Sequence, residues 1–166
     1  MANFDTMCFL EYYADRANVV SGGKRTPTRR FQNFFKIAEP LTIDADIDGS
    51  FEFLAFDAEG FGSDEAGSIN DFQLSLPGLG DIVDLTEAAV DADTLVIASL
   101  IIQPTGQNAI DPINAEIISR YIGSIEAVSM TDESVSWTVN PAIDKIKSQM
   151  PSKKISSDLI GRFVSV

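Results

Sequence analysis

The chain contains no histidine and only one cysteine, Cys8. Without histidine it lacks the commonest general base and the commonest nitrogen ligand for metals. One cysteine excludes an internal disulfide and any multi-cysteine metal site. With no imidazole to activate it, Cys8 reads as a small buried residue in a protein folded under reducing conditions. No apolar stretch approaches the roughly 20 residues of a membrane-spanning helix. The longest near-continuous one, residues 94–103, is stopped by Pro104. Residues 1–5 carry neither the basic region nor the apolar stretch of a secretory signal, so no membrane partner is expected. Cations are also missing from the middle of the chain. Between Lys36 and Arg120 there is no Lys or Arg, while acids recur from Glu39 to Glu116.

What is present is a sequence of 166 residues, 45% of them hydrophobic, enough for one domain with its own core. Its net charge is −13, with the cations gathered at the two ends. Lys24, Arg25, Arg29, Arg30 and Lys36 lie early; Lys145, Lys147, Lys153, Lys154 and Arg162 lie late. An acidic body repels phosphate and disfavours tight DNA binding. Charge segregated in this way serves general solubility, and it is also what electrostatic docking between subunits uses.

The local patterns predict a mainly β domain. Residues 94–103 are mostly β-branched and aliphatic, which describes a strand buried on both faces that must be covered twice. Residues 6–13 suggest a first strand, and 30–37 another, with Phe31, Phe35 and Ile37 evenly spaced. Residues 41–43 and 51–56 flank Asp44, Asp46, Asp48 and Gly49 as a hairpin, with Phe51 and Phe53 on one face. Residues 57–68 read as a loop. Phe72-Gln73-Leu74-Ser75-Leu76 alternates as a half-buried strand. The convincing helix covers about 81–91, with Asp81 as N-cap and Ile82, Leu85, Ala89 and Val90 at helical spacing. In the long strand 116–128, Ile117, Tyr121 and Ile125 are expected on one face and Ile118, Ile122 and Val128 on the other, with Gly123 at a bulge or bend. Val135, Trp137 and Val139 alternate in the next strand. Asn140-Pro141 is expected to open a short helix over about 141–148. These elements make an antiparallel β-barrel or sandwich with one well-defined helix. Residues 17–30, with a Gly pair, Pro27 and four cations, are expected to form an extended basic loop, and 151–166 an extended C-terminal tail.

No catalytic constellation emerges, and enzymatic activity is not expected. Acid pairs such as Asp57 with Glu59, or Asp64 with Glu65, arise readily in so acidic a chain. Gly22-Gly23-Lys24 lacks the spacing and following Ser/Thr of a phosphate-binding loop. Asp44, Asp46, Asp48 and Gly49 match the start of an EF-hand calcium loop, but the position needing a bidentate Glu is Ala55 and both flanks read as strands. A hairpin loop accounts for the same residues without a metal. Trp137 and the phenylalanines could form a carbohydrate platform, but their alternation with polar residues favours a core. A monomeric β-sandwich module for calcium or carbohydrate is thus the alternative to an assembly protein.

One resemblance covers residues 29–166. Phe51-Glu52-Phe53-Leu54-Ala55-Phe56 opens it, followed by Phe72-Gln73-Leu74-Ser75-Leu76 and the helix from Asp81. The strand pair around Ile101 and Tyr121-Ile122-Gly123 comes next, then Val135-Ser136-Trp137-Thr138-Val139 and finally Ile155-Ser156-Ser157-Asp158-Leu159-Ile160-Gly161-Arg162. In order and spacing this resembles the N-terminal domain of the phage lambda minor tail protein L family, the tail hub adaptors of tailed bacteriophages. The resemblance implies a structural virion protein at the tail tip or baseplate, assembled in the host cytoplasm. It would form a ring, trimeric or hexameric, between the tail tube or distal tail protein and the hub or tip protein. Genomic DNA would pass through the channel. The lambda protein's iron–sulfur cluster belongs to a further cysteine-rich domain, and with Cys8 alone no cofactor is carried over. For such an assembly the expected interface residues are Lys24, Arg25, Arg29 and Arg30 on the basic loop, and Lys153, Lys154, Leu159, Arg162 and Phe163 on the tail.

Overall fold

Strand β8 (Leu95–Pro104) realises the long apolar run, and it sits in the middle of the sheet. Antiparallel neighbours flank it along its whole length: β1 (Phe4–Tyr13) on one edge and β9 (Glu116–Met130) on the other. The structure, a computed structural model, describes residues 3–16, 20–21, 24–35, 37–42, 49–61, 72–90, 92–106, 110 and 115–141. The remaining strands are β2 (Val20–Ser21), β3 (Lys24–Arg25), β4 (Arg29–Gln32), β5 (Glu52–Phe53), β6 (Asp57–Glu59), β7 (Phe72–Pro77) and β10 (Ser134–Pro141), with α1 (Gly80–Val90) between β7 and β8. The fold is mainly β with a single helix among the described residues, as the sequence predicts.

The eight-stranded sheet runs β5-β4-β1-β8-β9-β10-β7-β6, and β2 pairs with β3 in a separate hairpin. Its two outermost strands, β5 and β6, are joined by residues 54–56 alone. Three residues span about 10 Å, so the sheet has to roll until its edges nearly meet. Asn33 holds this seam. Its side-chain oxygen accepts the Cys8 N–H at 2.7 Å, and its amide donates to the Phe56 carbonyl at 3.0 Å. Leu54 N–H donates to the Gln32 carbonyl at 2.9 Å.

Alternation then decides what fills the barrel. Cys8, Leu10 and Tyr12 of β1 point inward with Val96 and Ala98 of β8, Leu74 and Leu76 of β7, and Val135, Trp137 and Val139 of β10. Helix α1 links ends of β7 and β8 that lie at the same end of the barrel, because those strands run in opposite directions. It buries Ile82, Thr86 and Ala89 against the core. The Trp137 indole N–H donates to Thr86 Oγ at 2.9 Å, and that hydroxyl donates to the Ile82 carbonyl at 2.7 Å. The tryptophan is therefore fully buried with its one donor satisfied.

Several local expectations change. The helix N-cap is Leu79, whose carbonyl accepts from Ile82 and Val83, and Asp81 lies within the first turn. Val90 is exposed, and Thr86 takes its place in the buried stripe. The strand expected over 30–37 ends at Gln32, whose side chain staples a turn by accepting the Phe34 N–H and donating to the Ile37 carbonyl. Phe34 thereby turns inward, while Phe35 is 73% exposed. Leu41 and Phe51 do bridge antiparallel, but Glu52 and Phe53 then pair parallel with β4. Asp57, expected in a loop, opens edge strand β6.

Register shifts in the β8–β9 ladder at Leu100/Ile101 and in the β10–β9 ladder at Thr138/Val139, so the bulges fall on either side of Gly123. Gly123 serves close packing instead: a Cβ there would run into the Asn140 carbonyl oxygen. The first shift puts Ile117 opposite Ile101, on the same side as Ile122 opposite Ile97, and not on the side of Tyr121. Asn140 and Pro141 complete β10, paired with Ser124 and Gly123, and do not open a helix; the rest of the helix expected over 141–148 lies outside the described residues.

Candidate functional site

The described part of the basic loop, residues 24–30, is packed onto the barrel and is not an extended arm. Glu11 is the reason. It sits in β1 with its side chain on the outer face, where the parity of the strand places it beside Phe9 and Tyr13. It is nonetheless only 2% exposed. The Tyr13 hydroxyl donates to Glu11 Oε2 at 2.5 Å, and Arg25 Nε donates to the same oxygen at 3.0 Å. Arg25 thus lies over a buried carboxylate that would be costly to leave unpaired. Burial first, and the Glu11 carboxylate second, push the Tyr13 phenol above its ordinary range.

Arg29 and Arg30 are also engaged. Arg29 stacks on the Phe31 ring at 5.1 Å and bridges to Asp81 at 3.1 Å and Glu52 at 3.7 Å, joining β4 to the helix start. Arg30 donates to the carbonyls of Ser50 and Pro27 at 3.1 and 3.0 Å. Lys24 is exposed at the start of β3. Lys153, Lys154, Leu159, Arg162 and Phe163 lie outside the described residues, as do Asp44, Asp46, Asp48, Asp64 and Glu65. Among the described residues no three Cys, Asp or Glu side chains come together as a metal site, and no helix is long and apolar enough to cross a membrane. Burial pushes the Cys8 thiol up to about 12 and holds Tyr12 above its ordinary range. Cys8 is a core residue and a poor nucleophile.

Two surface features remain. The first is a set of exposed isoleucines on β9: Ile117, Ile118 and Ile122 are 46%, 49% and 44% exposed, and the exposed Arg120, which donates to Ser99 Oγ at 3.1 Å, lies between Ile117 and Ile122 on the same side. Ile122 and Ile117 stand across the ladder from Ile97 and Ile101 of β8, which are buried. The second is a trough along the barrel seam, made of two hollows of about 340 and 430 Å³ that share Asp57 and Ser75. Towards the Thr138 end of β10 it is polar, lined by Glu59, Gln73, Ser136 and Thr138. Towards the Ser134 end its lining is mixed: Phe35, Phe53, Phe56, Leu76 and Pro77 stand among Asn33, Ser134 and Glu133. Among the described residues that line this trough, the charged ones are the acids Asp57, Glu59 and Glu133.

Sequence reasoning singled out Asp57 and Glu59 as an acid pair but not the trough. It missed Glu11, although one acid inside the otherwise apolar stretch of residues 7–13 is itself a signal. The chain matches no protein-family model and no curated protein sequence.

Proposed function

We propose that this chain is a structural subunit of a bacteriophage tail. In this reading it is a hub adaptor that self-associates into a ring and joins the tail tube or distal tail protein to the distal hub or tip, with DNA passing through the channel. The observation that carries the reading is the exposure of Ile117, Ile118 and Ile122 on β9, where Ile117 and Ile122 stand opposite buried Ile101 and Ile97 with the exposed Arg120 between them on the outer side. Helix α1 and the barrel core cover the inner side of the sheet, and the chain's own segments cover the outer side near β1, but the outer side of β9 carries exposed isoleucines. In a ring, the neighbouring copy supplies that cover. The resemblance over residues 29–166 and the acidic body with basic ends support the same reading. The acidic body would face the lumen and keep DNA from sticking by like-charge repulsion.

The reading is tested by light scattering of the purified chain and antibody labelling of tailed particles. We expect concentration-dependent oligomers, label at the distal tip, and loss of oligomers in Ile117→Asp/Ile122→Asp without unfolding. A chain that stays monomeric at every concentration and is absent from particles overturns it.

A further inference from the structure

Among the described arginines, Arg120 stands apart. Arg16 bridges to Asp93 at 3.7 Å, Arg25 to Glu11 at 3.0 Å, and Arg29 to Asp81 at 3.1 Å and Glu52 at 3.7 Å. Arg30 is spent on two backbone carbonyls. Arg120 has a single partner among the described residues: its Nε donates to Ser99 Oγ at 3.1 Å. None of the described carboxylates pairs with it, in a chain of 25 acids and net charge −13. Ser99 is 2% exposed and stands opposite Arg120 in the ladder. A buried hydroxyl therefore orients the guanidinium and leaves its two terminal amino groups to a partner from outside. Arg120 is itself exposed, with Ile117 and Ile122 to either side of it on the outer side of β9. A guanidinium held in this way is a fork that fits one carboxylate bidentately. An arginine set among apolar side chains is also the composition found at the centre of protein interfaces.

We propose that Arg120 is the anchor of the β9 surface and takes a carboxylate from the acidic body of a second copy of this chain; this rests on the self-association proposed above and names the chemistry of its contact. Charge complementarity chooses the occupant. Residues 37–119 contain no Lys or Arg, so the acids of that stretch have no cation of their own stretch to answer them. Asp57, Glu59, Asp84 and Glu87 lie exposed there without an ion pair among the described residues. The chain's own last residues fit poorly, although β10 ends at Pro141 opposite Gly123, close to this surface. Residues 142–166 set Lys145, Lys147, Lys153, Lys154 and Arg162 against only Asp144 and Asp158, the same sign of charge as Arg120. DNA fits poorly as well, because phosphate binding draws on several cations at once and Arg120 stands alone among isoleucines. Two copies of net charge −13 repel one another at most relative orientations. One cation in an otherwise apolar patch therefore selects the orientation in which they meet, and the isoleucines supply the buried area.

The experiment uses two full-length variants, Arg120→Gln and Arg120→Lys, with Trp137 fluorescence reporting that the barrel core is intact. Light scattering is expected to show wild-type oligomers and association of Arg120→Gln weakened about tenfold or more. Arg120→Lys is expected to fall between the two, because it keeps the charge and loses the fork. Carbodiimide treatment of Arg120→Lys, read from mixed isotope-labelled protein, is expected to join position 120 to an Asp or Glu within residues 37–119 of another copy. If Arg120→Gln associates like the wild type, the anchor fails while self-association stands. If Arg120→Lys is no better than Arg120→Gln, the charge is not what acts and the anchor fails too. If the wild type is monomeric at every concentration, self-association itself fails. A cross-link that is absent, confined to one chain, or reaches another copy only outside residues 37–119 overturns the partner assigned to Arg120.

Discussion

The outer face of the sheet divides into two halves that differ in how they are covered. On the β1 side Met7, Phe9 and Ile101 pack beneath Phe34 and Phe51, and Tyr13, Leu95 and Ile97 form a second buried group beside Glu11 and Arg25. On the β9 side Ile117, Ile118 and Ile122 stay nearly half exposed. Both halves are rich in large apolar side chains, so hydrophobicity does not distinguish them. The difference lies in the path of the chain: Arg25, Phe34 and Phe51 return over β1, and the described residues place no comparable segment over β9.

The largest expected effect is on the covered half. Phe9 is 1% exposed and meets the Phe51 ring edge-on at 5.0 Å, so Phe9→Ala should cost about 3–5 kcal/mol in chemical denaturation. A loss near that of a surface substitution would show that the cover over β1 is loose. Next comes the charge that ties the β2–β3 hairpin down. Glu11→Gln keeps the shape and the Tyr13 contact but removes the ionic partner of Arg25, and should cost about 2 kcal/mol. Trypsin should then cleave after Lys24 or Arg25 faster than in the wild type; unchanged cleavage would mean that other contacts hold the hairpin.

A smaller effect appears in alkali. Cys8, Tyr12 and Tyr13 hold their protons more tightly in the folded state than at their ordinary values of 9.0 and 10.0. The stability tied to their neutral forms is therefore complete below those values and is lost as pH rises through them. The Cys8 contribution should fall by roughly 1 kcal/mol for each pH unit above 9. In Cys8→Ala the alkaline decline should begin only near the tyrosine value; an unchanged onset would remove Cys8 as its source. The smallest effect belongs to the bare half: Ile122→Ser should change monomer stability by about 0.5 kcal/mol or less. A much larger loss would mean that Ile122 contributes to the monomer's own packing, and the contrast between the halves would fail.

The prominent periodic segments are legible in the sequence itself. Residues 72–76 alternate as β7 does, the helix expected over 81–91 is one residue from α1, and the run at 94–103 is the two-faced centre of the sheet. These patterns are local, set by which face of a strand or helix must avoid water. The candidate surfaces are not legible there, because each depends on residues distant in sequence. Arg25 reads as a free cation until β3 lies over Glu11, and Asp57 reads as a loop acid until β6 pairs with β7.

Sequence alone thus determined a mainly β domain with one helix, an interior of alternating aliphatic and aromatic side chains, and cations confined to its ends. Tertiary structure decided that the sheet rolls until β5 and β6 are three residues apart, that the basic loop is partly folded down, and that Ile117 and Ile122 share one exposed side. The physical reason is that a strand's alternation specifies two faces but not their neighbours. Which face is covered, and by which segment, depends on the path of the chain between strands and on bulges that shift the register by one residue.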